Sequence, residues 1–273
     1  MNLNLLHKLR VISSDSFLFD TYGSAALGLS LDLLSSTYSG SCVNVRRDNG
    51  DEQAFGFVSG VLDTTSLLTF CGSGDGFVVD WYGQISSINV SNSTENQQPK
   101  IVDSGALILV NGKPSIEFSA GKNLKNTSFS LDETASLCSS IVAKFDSTTA
   151  QQFIYASRKI SANRSSVGIV SDNVISYTAR TASINSSSQA INTNQKLIFT
   201  ENIGVNIYVN QNSPDASLNN NNSGADNSLV IGSNGFDTNN FIGKLQEMVS
   251  WQVDQRTNQS GIETEVNGRY TIY

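Results

Sequence analysis

An alternation of apolar and polar residues with a period of two runs through most of this sequence and constrains its fold more than any other feature. Near the centre of one such segment, Val205, Ile207 and Val209 alternate with Asn206 and Tyr208. The alternation recurs in five other segments, which are residues 42–46, 77–82, 116–118, 141–146 and 245–252. Successive side chains of a strand point to opposite faces, so each segment predicts a strand with one buried and one wet face. Many such strands, separated by Gly, Asn and Ser turns, predict an all-β sandwich of two antiparallel sheets.

Two hairpin turns support this prediction. Asn111–Gly112 lies between the apolar residues 106–110 and the short strand at residues 116–118. Asn and Gly tolerate the positive φ angles that a tight type I′ turn requires. Residues 48–50, with the sequence Asp-Asn-Gly, follow the strand at residues 43–47 in the same way.

Three short helices are also predicted. The residues that mark them are Ala26, Leu29 and Leu33 for the first, Asp63, Leu67, Leu68 and Gly72 for the second, and Ile262, Val266 and Tyr270 for the third. The first and third sets are spaced by three or four residues, which places them on one helix face. The second set begins with a residue that caps helix N-termini and ends with a glycine that closes them.

Charge excludes two classes of partner. The net charge is -7, and no run of Lys or Arg is longer than Arg46–Arg47. Nucleic-acid binding requires clustered cations to neutralise phosphates, and anionic membranes attract basic segments. We therefore expect neither nucleic-acid binding nor membrane insertion.

The cysteines and the N-terminus indicate folding inside a cell. Cys42, Cys71 and Cys138 are odd in number and widely spaced, so they predict small buried apolar residues and no disulfide framework. The first residues lack the basic, apolar and small-residue regions of a signal peptide. We expect residues 1–20 to form an arm that docks the protein, through Leu5, Leu6, Leu9 and Ile12, and residues 21–273 to form the sandwich. Residues 86–98 and 211–227 are polar and predict exposed loops.

An ordered series of motifs in residues 22–82 resembles a known family. The motifs are SAALGLSL at residues 24–31, STYSG at 36–40, VNVRR at 43–47, FGF at 55–57, GDGFV at 74–78 and Trp81-Tyr82. The series continues with QPKIV at residues 98–102, NGKP at 111–114, GKLQE at 243–247 and NQSGIE at 258–263. This order resembles the catalytic-domain fold of fungal α-L-arabinofuranosidase B and of phage structural proteins that share it.

The resemblance implies a concanavalin-A/laminin-G-like jelly roll. This chain departs from the family pattern at Gly83 and Ser119, where the family often has aspartate, and it lacks the neighbouring cysteines of the fungal enzymes. Two recurrent acidic positions are therefore missing, and no catalytic residue is carried over. Through the phage proteins, the resemblance implies a virion protein that is not an enzyme.

The sequence offers few candidate residues for catalysis or metal binding. Asp80, Glu117, Glu247 and Asp254 are the acids on or near predicted strands, and a glycosidase would need two of them facing each other. His7 is the single histidine, which argues against a Ser-His-Asp site and a histidine-rich metal site. Calcium stays an open alternative, because Asp, Asn and backbone oxygens suffice as its ligands, but Asp75 alone between two glycines is no calcium motif. We therefore expect no cofactor.

Tyr82 is the best candidate for stacking on a sugar. On a strand, Trp81 and Tyr82 point to opposite faces, and Trp81 shares the parity of the apolar core residues. Asp80 lies on the Tyr82 face. We therefore assign a ligand-binding surface to Tyr82, Asp80 and Trp81, with Tyr82 as its exposed aromatic residue. Arg46 and Arg47 are expected to pair with local acids.

The sequence leads to two functional hypotheses. The first is a phage virion protein of the head or tail, made in the host cytoplasm, which assembles as a homo-oligomer with other virion proteins and attaches to a cell-surface glycan. The second is an arabinofuranosidase-like glycoside hydrolase that acts on host polysaccharide. A secreted adhesin is a third, which the absence of a signal peptide disfavours.

Overall fold

The computed structural model describes residues 17–23, 25–85, 88–131, 135–147, 151–158, 164–171, 174–180, 182–186, 194–211, 228–234 and 239–273. Their helices are α1 (Leu18–Tyr22), α2 (Thr64–Cys71) and α3 (Gln259–Tyr270), with 3₁₀ turns at Glu95–Gln97 and Arg256–Asn258. The strands are β1 (Leu27–Ser30), β2 (Val43–Arg47), β3 (Glu52–Phe55), β4 (Phe57–Val58), β5 (Val61–Leu62), β6 (Gly76–Trp81), β7 (Val90–Ser91), β8 (Lys100–Asp103), β9 (Ala106–Leu107), β10 (Leu109–Val110), β11 (Lys113–Pro114), β12 (Ile116–Phe118), β13 (Leu124–Asn126), β14 (Cys138–Phe145), β15 (Gln152–Arg158), β16 (Arg164–Ser171), β17 (Val174–Arg180), β18 (Ala182–Asn185), β19 (Lys196–Glu201), β20 (Asn206–Val209), β21 (Ser228–Ile231) and β22 (Gly243–Trp251).

The strands form two antiparallel layers. In sheet I the order is β20-β19-β14-β22. On the side of β22 away from β14, β12 pairs with residues 243–245 and β1 pairs with residues 247–250. In sheet II the order is β3-β2-β6-β7-β13-β21-β15-β16-β17-β18, and β8 pairs beside β7 on β6. The Glu117–Lys100 pairing joins the two layers at one edge. The predicted all-β jelly-roll-like sandwich is thereby confirmed.

Two apolar clusters divide the molecule into three layers. The larger cluster lies between the sheets and includes Trp81 and Tyr155 from sheet II and Phe145 from sheet I. The smaller cluster joins the other face of sheet I, including Trp251, to the helices. Its helical members are Leu18 and Phe19 of α1 and Ile262, Val266 and Tyr270 of α3. Helices therefore cover the outer face of sheet I.

Most local predictions agree with the structure. The Asp63 side chain accepts a hydrogen bond from the Ser66 backbone N–H at the start of α2, and Gly72 ends that helix at a φ of 61°. The predicted C-terminal helix is α3. Asn111 and Gly112 have φ angles of 50° and 74°, as a type I′ turn requires, although they connect β10 to β11 and not to β12. All three cysteines are buried and free.

The helix predicted at Ala26, Leu29 and Leu33 is wrong. Residues Leu27–Ser30 form β1, which pairs with β22 and is buried at every position. Leu27 and Leu29 enter the core, whereas Gly28 faces α1, where an added Cβ would lie 2.5 Å from the Phe19 ring. A strand buried on both faces loses its polar alternation, so its apolar pattern also fits a helix.

Part of the polar segment at residues 86–98 was also predicted wrongly as an exposed loop. It contains β7 and a 3₁₀ turn, and Val90 and Gln98 are buried. The predicted loop at residues 211–227 lies outside the described residues from residue 212 onward, as do Leu5, Leu6, Leu9 and Ile12 of the predicted arm. Helix α1 spans the predicted boundary between arm and sandwich. Among the described helices, none is long and apolar enough to cross a membrane.

Candidate functional site

The outer face of sheet II carries a polar row. Asn44, Asp80, Ser91 and Lys125 occupy adjacent strands and are successive cross-strand partners. On one or both sides of each of these residues, the neighbour along the strand belongs to the core between the sheets, namely Val43, Val45, Trp81, Val90 and Leu124. Because alternate residues of a strand point to opposite faces, the row faces away from the core. No described helix packs on it, in contrast to the outer face of sheet I.

A groove of about 550 Å³ lies over three residues of this row, Asp80, Ser91 and Lys125. The residues that line it are Val79, Asp80, Asn89, Ser91, Asn92, Ser93, Thr94, Gln97, Lys125, Asn126, Thr127 and Ser128. A second depression, of about 390 Å³, is lined by Tyr38, Gly40, Tyr82, Gly83, Gln84, Ile85 and Asn89. The two depressions share Asn89. We call these two adjoining depressions the polar groove; amides and hydroxyls predominate in the first, and the two tyrosines line the second.

A β-bulge brings Asp80 into the groove. The register of β6 against β2 shifts between Asn44 and Val45, so that Val79 is the extra residue between the partners of these two. A bulge bends its strand and re-aims the neighbouring side chains. Here Val79 and Asp80 both line the groove, while Val78 and Trp81 stay in the core.

The loop that follows β6 is fixed by two amide side chains. The buried Gln84 accepts a hydrogen bond from the Leu34 backbone N–H at 2.7 Å and donates to the carbonyls of Ser30 and Asp32. Asn89 accepts a hydrogen bond from the backbone N–H of Gly83 at 3.1 Å. Only glycine fits at this position, because a Cβ on Gly83 would lie 2.1 Å from the carbonyl oxygen of Ile88. This loop therefore holds Tyr82 and Asn89 in place.

The opposite wall is built from asparagines that bond to backbone. The Asn126 side chain donates to the backbone carbonyl of Asn89 at 2.7 Å, and its amide oxygen Oδ1 accepts from the Ser128 backbone N–H. Asn92 donates to the Asn123 carbonyl and accepts from the Thr94 N–H, both at 2.9 Å. These bonds connect β7 to β13 and fix the shape of the groove without a ligand, which lowers the entropic cost of binding.

Two carboxylates converge on one amide beside the tyrosines. The Asn44 Nδ2 donates to Glu52 Oε2 at 2.9 Å and to Asp80 Oδ2 at 3.0 Å. The two carboxylate oxygens therefore lie at most about 6 Å apart, a bound that includes the separation of about 5 Å between the carboxyl groups of retaining glycosidases. Partial burial, together with Asp80 and Glu52, raises the pKa of Tyr82.

The predicted ligand-binding residues have different places in the structure. Asp80 and Tyr82 line adjoining parts of the polar groove. Trp81 is completely buried between the sheets, so its inclusion in the ligand-binding set is wrong: the side chain has no surface that a ligand could touch. Sequence reasoning missed Tyr38 and the asparagines of both walls. The available signal was the polar, asparagine-containing segment at residues 86–98.

The other acids singled out in the sequence pair with cations. Glu117 pairs with Lys244 at 2.9 Å, Asp254 with Arg256 at 2.7 Å and the buried Glu247 with Arg269 at 2.7 Å. Asp75 pairs with Lys100 at 2.7 Å. Each of these four acids therefore has a structural role in an ion pair. Asp80 and Glu52, which both bond Asn44, remain as the pair of carboxylates beside the groove.

The predictions for the two arginines divide. Arg47 forms the expected ion pair, with Asp51. Arg46 forms none with an acid among the residues that the structure describes: its Nε donates to Gln98 Oε1 at 2.8 Å, and its guanidinium lies 4.6 Å from the centroid of the Phe77 ring. Among the described residues, no three His, Cys, Asp or Glu side chains group into a metal site.

No family model matches the sequence. No curated protein matches it either.

Solved structures match the fold over most of the chain. An α-L-arabinofuranosidase of family GH54 soaked with 4-nitrophenyl α-L-arabinofuranoside superposes with a TM-score of 0.72 and 13% identity over 91% of this chain. An arabinofuranosidase complexed with arabinofuranosyl-α-1,2-xylobiose gives 0.75 and 11% over 93%. This chain spans 64% of the length of each. A Trypanosoma rangeli sialidase in complex with sialic acid gives 0.50 and 8%, over 70% of this chain and 31% of the sialidase.

These matches correct one prediction. The sequence predicts a domain that is not an enzyme, whereas two solved structures that share its fold over 91–93% of its length are arabinofuranosidases. That prediction is therefore contradicted. At identities of 11–13%, the likeness establishes that this chain has the sandwich fold found in those glycosidases.

Proposed function

We propose that this domain acts on carbohydrate, binding a glycan chain in the polar groove and hydrolysing a glycosidic bond. The observation that carries the proposal is the groove itself, which lies on the sheet face that no described helix covers. Amides and hydroxyls along its floor match the alternating donors and acceptors of sugar hydroxyls. Tyr82 and Tyr38 at one end offer apolar rings for a sugar face.

Asp80 and Glu52 are the carboxylates that we assign to the reaction. Asp80 lines the groove, so its carboxylate would attack the anomeric carbon while the carboxyl of Glu52, which is exposed on β3, gives its proton to the departing glycosidic oxygen. Glu52 would then take a proton from the water that releases the sugar from Asp80, which restores both groups. Asn44 acts as a positioning residue, because its amide bonds both carboxylates. The fold shared with arabinofuranosidases makes an arabinofuranosyl unit the first substrate to examine.

The test combines binding and hydrolysis. Titration calorimetry of the full chain with arabino-oligosaccharides is expected to show binding, and 4-nitrophenyl α-L-arabinofuranoside is expected to release nitrophenol. Asp80→Asn and Glu52→Gln should each lower the rate by roughly a hundredfold or more while leaving binding largely intact. Asp254→Asn is the matched control, because Asp254 pairs with Arg256 outside the groove.

Two results would count against the proposal. Binding with no hydrolysis of any furanoside or pyranoside substrate would remove the catalytic part, and no binding of any glycan would remove the whole. No observation here supports the virion role, so head or tail location, homo-oligomerisation and docking through the N-terminal arm stay predictions from the sequence.

A further inference from the structure

Arg46 is a buried cation without an acidic partner. Its side chain lies on β2 and is only 8% exposed, yet among the described residues no carboxylate is close enough to pair with it. Its cross-strand neighbour, Glu52, directs its carboxylate to Asn44 instead. Burying a charge without a counter-charge costs free energy, which the ring of Phe77 offsets only in part. Because charges that are largely buried are ordinarily paired, Arg46 is a candidate for binding an anion from outside the chain.

A second cation, Lys122, lies beside Arg46. Its Nζ donates to the carbonyl of Asn96 at 2.7 Å, while Arg46 bonds Gln98 two residues further along. Burial lowers the pKa of Lys122, and the neighbouring charges of Lys100 and Arg46 lower it further. Lys100 is already neutralised by Asp75 and Asp103. Arg46 and Lys122 thus leave a local positive charge in a chain whose net charge is -7.

These cations adjoin the polar groove through the short segment at residues 96–98. Gln97 lines the groove, and the residues on either side of it accept the bonds from Lys122 and Arg46. The guanidinium of Arg46 uses Nε for Gln98 and Nη1 for the Arg47 carbonyl at 3.4 Å, and no described residue accepts a bond from Nη2. A planar guanidinium with free N–H groups recognises a carboxylate better than it recognises a neutral hydroxyl.

We propose that Arg46 and Lys122 form an anion subsite at the end of the polar groove, which takes the carboxylate of an acidic sugar within a bound glycan. This inference rests on the proposed function, since it names the class of glycan that the groove selects. The ligand would run from the tyrosines along the amide floor and present a uronic acid unit beside Gln97.

The experiment compares trigalacturonate with its fully methyl-esterified form, which has the same length and ring chemistry but no charge. Calorimetry on the full chain is expected to show about tenfold tighter binding of the acid, as one charge-assisted contact provides. Lys122→Gln should abolish most of that preference and leave the ester's affinity unchanged. Arg46→Gln should do the same, and because Arg46 is buried, the surface variant at Lys122 keeps the test valid if Arg46→Gln fails to fold. Arg256→Gln is the control, since Arg256 lies in an exposed pair outside the groove.

The outcomes separate the two proposals. Equal affinity for acid and ester, or a preference that survives Lys122→Gln, overturns the anion subsite and leaves glycan binding intact. Binding of neither sugar overturns both. Tighter binding of the acid that Lys122→Gln removes supports the subsite, even if the parent protein does not hydrolyse the bound sugar.

Discussion

The two outer faces of the sandwich differ in whether their charged side chains are buried and paired or accessible to a ligand. On sheet I, α3 closes over Glu247, whose carboxylate forms a bidentate pair with Arg269 at 2.7 and 2.9 Å and accepts a bond from Ser30. On sheet II, Asp80 lines the groove near Glu52 and accepts a hydrogen bond from the amide of Asn44. Both faces are rich in polar groups, but only the second leaves them within reach of a ligand.

The comparison teaches where polar residues stabilise and where they function. Under α3, each oxygen of Glu247 has a partner, because a buried carboxylate without one would destabilise the fold. In the groove, the side-chain amides bond mostly to backbone, which fixes their positions, and Asp80, Tyr38 and Tyr82 are only half-buried. Polar residues of the covered face should therefore affect stability, and those of the open face should affect binding.

The largest expected effect lies on the covered face. Arg269→Met leaves Glu247 buried without its counter-charge, so the free energy of unfolding should fall by about 3–5 kcal/mol. Urea denaturation followed by tryptophan fluorescence measures the change. Adding Glu247→Gln should restore part of the loss, since the uncompensated charge is then gone. A loss below about 1 kcal/mol would mean that the pair is not buried as described.

A smaller effect concerns two carboxyl groups of α3. Burial raises the pKa of Glu263 and of Glu265 to about 7, and one oxygen of each has no hydrogen-bond partner among the described residues. Both pKa values lie above that of an unfolded glutamate, so the protonated form is favoured in the fold. Their contribution to stability is complete below about pH 4.5 and is lost as the pH rises through 7.

Glu263→Gln tests this dependence, because Glu263 is only 1% exposed and a neutral amide replaces its charged form. We expect the variant to be more stable than the parent at pH 8 by about 2 kcal/mol and nearly equal to it at pH 4.5. Urea unfolding at both pH values measures the difference. Glu95→Gln, at an exposed position, is the control that should show no such crossover. If the variant lost as much stability between pH 4.5 and pH 8 as the parent does, Glu263 would not be the source of this pH dependence.

Sequence reasoning found the elements whose signal is local. The cap at Asp63, the turn at Asn111–Gly112 and the alternation of strands follow from short-range chemistry, and the opposite orientation of Trp81 and Tyr82 follows from strand geometry. The misread strand β1 is covered by α1 on one side and by the core on the other, which only the tertiary structure reveals. Because β1 is buried on both faces, it lacks the alternation of apolar and polar residues that identifies a strand.

The groove could be predicted only in part for the same reason. Asp80 and Tyr82 lie on a strand with a readable pattern, so their exposed face was accessible to sequence reasoning. Asn92 and Asn126 belong to segments that meet because β7 pairs with both β6 and β13, a register that no local signal encodes. The partnership of Glu52 with Asp80 likewise depends on β2 lying between their strands.

The smallest expected effect, that of Tyr82→Ala, best distinguishes a face that binds ligand from a face that stabilises the fold. Tyr82→Ala removes an aromatic ring that lines the groove and is only partly buried, so it should weaken glycan binding by about tenfold while changing the free energy of unfolding by less than about 1 kcal/mol. Tyr208 is the matched control: it is also partly buried, but it packs against Phe199 on the helix-covered face, so Tyr208→Ala should lower stability and leave affinity unchanged. Calorimetry and urea unfolding on both variants give the two readouts. If Tyr82→Ala destabilised the fold as much as Tyr208→Ala without changing affinity, the open face would serve packing, as the covered face does. If each variant changes only its own readout, polar and aromatic residues on the open sheet face serve binding.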